Sequence, residues 1–193
     1  MLERSVRVRE ASTTHTTVLW FQLVFASGAA LLATGGAWPR ALVAALLVPA
    51  MWASPVLERL TGRRLPTQLT VQFGCFVAAG PFAGAAFGLY SMLPGWDKAV
   101  HADSGVLLAS AGLALLPPGA RTWPRLLLVQ ACATALAATW EIVEFTSDTL
   151  FGTQAQHGNT DTMTDVIAGT AGAAATLVAV TLVARLRTRL RTR

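Results

Sequence analysis

Six apolar runs separated by short polar stretches give the chain its pattern. They cover roughly residues 18–36, 41–57, 69–92, 99–116, 126–145 and 162–183. Each comes near the ~20 consecutive apolar residues that an α-helix needs to cross a bilayer. The pattern predicts an all-α, polytopic membrane protein with six transmembrane helices. Residues 1–17 are polar and read as an N-terminal tail, residues 18–184 as the transmembrane domain, and RLRTRLRTR at 185–193 as a basic C-terminal tail. Pro49 and Pro55 should loosen the second helix. The Gly80-Pro81 pair should bend the third at mid-depth, because proline removes a backbone donor. A cleaved signal peptide is the competing reading of the first run, since ASGA at 26–29 resembles a small-residue cleavage site. That run is long for such a segment, and a second follows almost at once, so a membrane helix accounts for it better.

Composition agrees with the pattern. Of the 193 residues, 53% are hydrophobic and only 13% charged, with a mean hydropathy of +0.52. Soluble domains carry about a quarter charged residues. Cys75 and Cys132 both lie inside apolar runs, where they read as reduced packing residues and not as a disulfide framework.

A net charge of +5 would suit nucleic acid, but its distribution along the chain points to a membrane instead. Arg4, Arg7, Arg9, Arg59, Arg63, Arg64, Arg121, Arg125 and the five tail arginines, 13 of 15 basic residues, fall on one side of a six-span arrangement. Arg40 and Lys98 fall on the other. The positive-inside rule makes the crowded side cytoplasmic and places both termini there. Membrane lipids are the expected partners, the basic tail meeting anionic headgroups, and nucleic acid is not expected.

The acids sort the opposite way. Asp97, Asp103, Glu141, Glu144, Asp148, Asp161 and Asp165, seven of ten, fall at the outer face. Helix direction then separates them. The fourth and sixth spans begin at that face, so Asp97, Asp161 and Asp165 sit where the helix dipole and capping favour carboxylates. Thr162 and Asp165 have capping-box spacing. The fifth span ends there, and Glu141, Glu144 and Asp148 at i, i+3 and i+7 stack like charges against the dipole. A carboxylate in the membrane costs roughly 2.5–3.5 kcal/mol or more, so these acids need a cation, shared protons, or a donor such as His101 or Lys98.

At ~1.5 Å rise per residue, His101, Glu141 and Asp165 form a deeper tier, with Asp97, Glu144 and Asp161 above it. Asp97, His101 and Ser104 share one helical face. The six ionisable residues of the tiers are the candidate catalytic groups. His101, Glu141 and Asp165 are the candidate ligands of a divalent ion, and the oxygen and imidazole donors suit Zn, Mn or Fe. Without a metal the same groups make a general acid/base cluster with coupled protons. His157 lies in the long loop 146–160 and either joins the site or stands in solvent; His15 reads as solvent-facing tail. Gln72 and Gln130 read as interhelical glue. No serine-nucleophile motif, phosphate loop or nucleotide fingerprint occurs, and the scarcity of outer-face arginine argues against a phosphate clamp there.

WDKAVHADSG, WEIVEF and GTQAQHGNTDTMTDVIAGTAGA, in that order, resemble the YjdF-like family of bacterial inner-membrane proteins. More distantly they are similar to VanZ-like membrane proteins. The match covers roughly residues 95–175, with QHGN before the aspartates as the departure. The resemblance implies a multi-pass fold in the bacterial cytoplasmic membrane, and it carries over Asp97, His101, Glu141, Glu144, Asp161 and Asp165 as the motif positions. It implies no settled chemistry.

Three functions fit these residues. The first is an enzyme or binding protein, metal-dependent in one version, acting on a lipid or envelope precursor in the outer leaflet. The second is a transporter of a proton, metal ion or small solute, and the third a structural or regulatory protein whose polar cluster holds helices together. The inner halves of the spans carry no ionisable residue away from their cytoplasmic ends. Transporters place their coupling sites near the midplane, so access from one face favours the first function. For the topology, cysteines introduced singly at Thr153 and Thr192 should react with an impermeant thiol reagent from opposite sides of the membrane. Equal labelling from outside would refute the six-span arrangement.

Overall fold

The structure, a computed structural model, describes residues 2–117 and 122–191. Arg121 of the PPGARTWPR loop and residues 192–193 of the basic tail lie outside the described residues. Among the described residues every regular element is helical. The elements are α1 (Leu2–Thr34), α2 (Trp38–Ala50), α3 (Ala53–Thr61), α4 (Thr67–Val77), a π-helical segment (Ala78–Ala86), α5 (Leu89–Met92), α6 (Trp96–Leu115), α7 (Trp123–Phe151) and α8 (Asn159–Arg191). They form two compact units, Met1–Asp97 and Lys98–Arg193, so the division falls in the first turn of α6.

In the first unit α1 is helical from Leu2, so the stretch read as a tail is the first half of a helix. Arg, Glu and Ala are good helix formers, and neither glycine nor proline interrupts residues 1–27. α2 and α3 together make one span, broken near Pro49, whose carbonyl accepts the Trp52 N–H at 3.0 Å. The bend expected at Gly80-Pro81 takes the form of the π-helical segment, in which Phe87 N bonds Phe82 O at 3.0 Å. Wider turns let the backbone accommodate a ring that has no donor. The third span ends with this segment at Ala86, short of the expected Met92, because Gly88 at φ +84° reverses the chain into the single turn of α5. Val18, Phe25, Leu47, Met51 and Val77 form the core of the unit. The Phe25 and Phe82 rings pack tilted with centroids 5.0 Å apart, and Phe82 and Phe87 with centroids 4.9 Å apart.

The second unit packs α7 against α8 around Ala109, Leu113, Leu126, Val129, Ala133, Ala173 and Leu177. Gln130 Nε2 donates to the Thr170 carbonyl at 3.1 Å, and Thr170 Oγ1 meets Thr134 Oγ1 at 3.2 Å, so Gln130 bridges two helices. α6 crosses α8 backbone to backbone. A methyl on Gly105 would run into the Gly169 carbonyl, and one on Gly172 into the Ala102 carbonyl. Small residues are what permit such an approach between membrane helices.

Five helical stretches are long and apolar enough to cross a bilayer: Thr13–Thr34, Trp38–Thr61, Thr67–Ala86, Trp123–Phe151 and Asn159–Leu190. Their large apolar side chains face outward in quantity, among them Trp20, Leu46, Leu136 and Ile167. That inversion of the soluble pattern is what a lipid surround requires. α6 has 20 residues but stands outside this set, carrying Asp97, Lys98, His101 and Asp103.

The crossing of α6 and α8 is testable. Gly172→Ala should lower stability in detergent by about 1–3 kcal/mol and Gly172→Leu by more, because overpacking against a carbonyl has no side-chain escape. Gly35→Ala, where an added methyl meets nothing closer than 3.5 Å, should be close to neutral in the same melting experiment.

Candidate functional site

The start of α6 is held by Trp96, whose indole Nε1 donates to the Ala79 carbonyl at 3.0 Å. Ala79 belongs to the π-helical segment. From that anchor, helical periodicity sets Asp97, Lys98 and His101 on one side of the first turns. Asp161 and Asp165, four apart on α8, are likewise stacked on one face.

Lys98, His101, Asp161 and Asp165 meet in the second unit. Lys98 Nζ lies 2.5 Å from Asp161 Oδ1 and 2.7 Å from Asp165 Oδ1. His101 Nε2 stands 3.8 Å from Glu141 Oε1 and 3.8 Å from Asp165 Oδ1. At the rim, His157 Nδ1 is 3.5 Å from Asp161 Oδ2. Basic and acidic side chains therefore alternate inward along His157, Asp161, Lys98, Asp165, His101 and Glu141. The outer three side chains are exposed or partly exposed, His157 at 72%, and the inner three are nearly covered, Asp165 at 2%. The inner residues His101, Glu141 and Asp165 are all buried. One ligand atom from each of Asp97, His101 and Asp165 lies within 4.8 Å of the others. A first-row ion bonded at ~2.1 Å to each ligand asks for only a modest closing of that spacing.

The outer carboxylates divide differently from the expected tier. Glu144 turns sideways on α7, where its Oε1 accepts the Trp140 indole N–H at 2.7 Å, one helical turn away. Asp148 organises the loop after α7, its carboxylate accepting the Thr153 hydroxyl together with the N–H groups of Ala155 and Gln156, both at 2.9 Å. This loop is shorter than 146–160, because α7 continues to Phe151 and only residues 152–158 lie outside helices. The stacked face of three acids is thus resolved by three separate partners.

The capping box does not form. α8 begins at Asn159, placing Thr162 and Asp165 inside the helix. Thr162 Oγ1 instead accepts from Gln156 Nε2 at 2.7 Å, and Asp165 faces Lys98. Ser104 donates back to the His101 carbonyl at 2.6 Å. The residue that the sequence-based site leaves out is Lys98, named there only as a possible donor. Its signal was in plain view, since it is the chain's single lysine and follows Asp97 directly.

Residues 16–187 match the model of a family described as predicted membrane protein, DUF2238. The chain belongs to this family. No curated protein and no solved structure matches it. The part shared with the DUF2238 family takes in all five apolar spans from Thr16 onward and every residue of the ionic line, so the site lies inside the family's common domain.

Removing the Lys98 charge should strand two carboxylates, one of them buried. Lys98→Met is expected to lose about 2–3 kcal/mol, the low end for a broken ion pair because the lysine is partly exposed. Adding Asp165→Asn to that variant should recover much of the loss. Melting of the three proteins in one detergent measures both effects, and equal midpoints would show the pairs to be idle.

Proposed function

We propose that this multi-pass membrane protein uses His101, Glu141 and Asp165, with Asp97 beside them, to bind a divalent cation and act on a lipid or envelope precursor. One observation carries the reading: the buried ionisable residues among the described ones, His101, Glu141 and Asp165, lie together on three helices. Beside them Lys98 pairs with Asp161 and Asp165. Two buried carboxylates next to one imidazole are stabilised by a bound cation or by retained protons. The imidazole and carboxylate donors suit Zn, Mn or Fe.

When bound, such an ion polarises a substrate oxygen or lowers the pKa of its water. Lys98 holds the Asp165 carboxylate in place. Glu141, across His101 from Asp165, is positioned to take a proton, and His101 to pass one between the two acids. The rim at Asp161 and His157 is where a headgroup enters.

The same proposal includes the topology. α6 is the fourth of six spans, both termini are cytoplasmic, and the site opens to the extracytoplasmic face of a bacterial inner membrane. The 13-to-2 division of basic residues supports this, as does the resemblance of the three motifs to YjdF-like and VanZ-like proteins. A second reading, a helix-holding polar network, is favoured by the two short ion pairs with which Lys98 joins α6 to α8.

Metal analysis of the purified protein separates the two. In the proposed function the parent carries about one Zn, Mn or Fe per chain. His101→Gln, Glu141→Gln and Asp165→Asn each lose the ion while keeping their melting midpoint. A metal-free parent together with losses of roughly 3–5 kcal/mol in all three variants would leave the packing network.

A further inference from the structure

The first unit holds a cationic cavity that the ionic site does not use. It has a volume of about 460 Å³ and is lined chiefly by His15, Trp52, Glu58, Arg59, Arg63 and Arg64. Local structure brings the arginines together. Arg59 lies in the last turn of α3, and Gly62, left-handed at φ +64°, ends that helix and turns the chain so that Arg63 and Arg64 follow around the same end. Glu58 Oε1 accepts the Leu65 N–H at 2.7 Å, which closes the turn over a buried Leu65. The one carboxylate of the lining is therefore engaged in ordering the arginine loop. Three guanidinium groups remain against it, enough to outweigh the negative end of the α3 dipole. His15, read from sequence as a solvent-facing tail residue, lies in α1 and contributes to the wall.

We propose that this cavity binds a phosphate-bearing anion, and that its occupant is the headgroup of an anionic phospholipid. The planar fork of arginine matches phosphate oxygens two at a time, which a lone ammonium does not. The volume lies within the range of small-ligand sites. The lipid source follows from the surroundings. The cavity lies at the polar end of the Trp38–Thr61 span, with Trp52, Val56 and Leu60 exposed along its flank. An aromatic and aliphatic margin below a cluster of arginines is the arrangement of a membrane interface. By the charge rule this end faces the cytoplasm, a placement that rests on the proposed topology, and the cavity shares no residue with the ionic site.

Native mass spectrometry of the detergent-solubilised full chain tests it, with phosphatidylglycerol and phosphatidylcholine as the lipid probes. The parent should retain phosphatidylglycerol in preference to phosphatidylcholine. Arg59→Gln/Arg63→Gln/Arg64→Gln should weaken that retention at least about tenfold, as expected for the loss of three basic contacts. Arg185→Gln/Arg187→Gln, which removes tail charges outside the cavity, should change it little. A triple Arg→Lys variant at 59, 63 and 64 keeps the charge and the fold while losing the forks, and should fall between parent and Gln variant. Inorganic phosphate and glycerol phosphate, added at millimolar concentration, should not displace the lipid; full displacement would overturn the lipid assignment in favour of a soluble phosphate anion. Equal retention of the two lipids by the parent, or equal loss in the tail variant, would overturn the cavity as the site.

Discussion

The ammonium of Lys98 between Asp161 and Asp165 is the interaction on which the polar half of the molecule depends. Without a cation there, two carboxylates one turn apart on α8 would repel each other, with Asp165 out of reach of water. With it, Asp165 can stay buried beside His101, and His101 can stand between two acids. Each inner residue is tolerable only because of the one outside it. The energy of such a line is modest in net terms, since desolvation offsets much of the attraction.

α6 and α8 lie closer than larger side chains would allow. Gly105 and Gly172 make that possible, since a Cβ on either would run into a carbonyl of the facing helix. α7 joins through the Gln130 amide N–H on the Thr170 carbonyl and the Thr134 and Thr170 hydroxyls on each other. The first unit is built on different terms. Its core is aromatic, with Phe25, Phe82 and Phe87 in sequence, and its helices are broken where Pro49 and Pro81 withhold a donor. The break at Pro81 belongs to the segment whose Ala79 carbonyl receives Trp96, so an interrupted helix fixes the residue at which α6 starts.

Particular residues show how far the site was legible. His101 and Asp165 could be paired in advance because depth along a helix is a matter of counting residues, and Glu141 because its position against the dipole demanded a partner. Glu144 and Asp148 could not be separated from it in that way. Their partners, Trp140 and the 153–156 backbone, are local. A side chain's choice between an inward and a sideways rotamer depends on neighbours that spacing does not reveal. The capping box failed for a related reason: α8 begins three residues earlier than Thr162, so the pattern was present without the helix end it serves.

What the sequence alone determined is whatever depends on solvent and on period. Apolar length made the chain a helical membrane protein, and the spacing of acids and histidine marked the three helices that carry the polar cluster. Tertiary structure decided which of those acids meet, how close α6 comes to α8, and that Lys98 is the cation between them. It also gathered His15 with Arg59, Arg63 and Arg64 around one cavity. The difference is physical. Transfer into lipid acts on each segment independently and can be read segment by segment, whereas ion pairing acts between segments over a few ångströms, and only packing sets those distances.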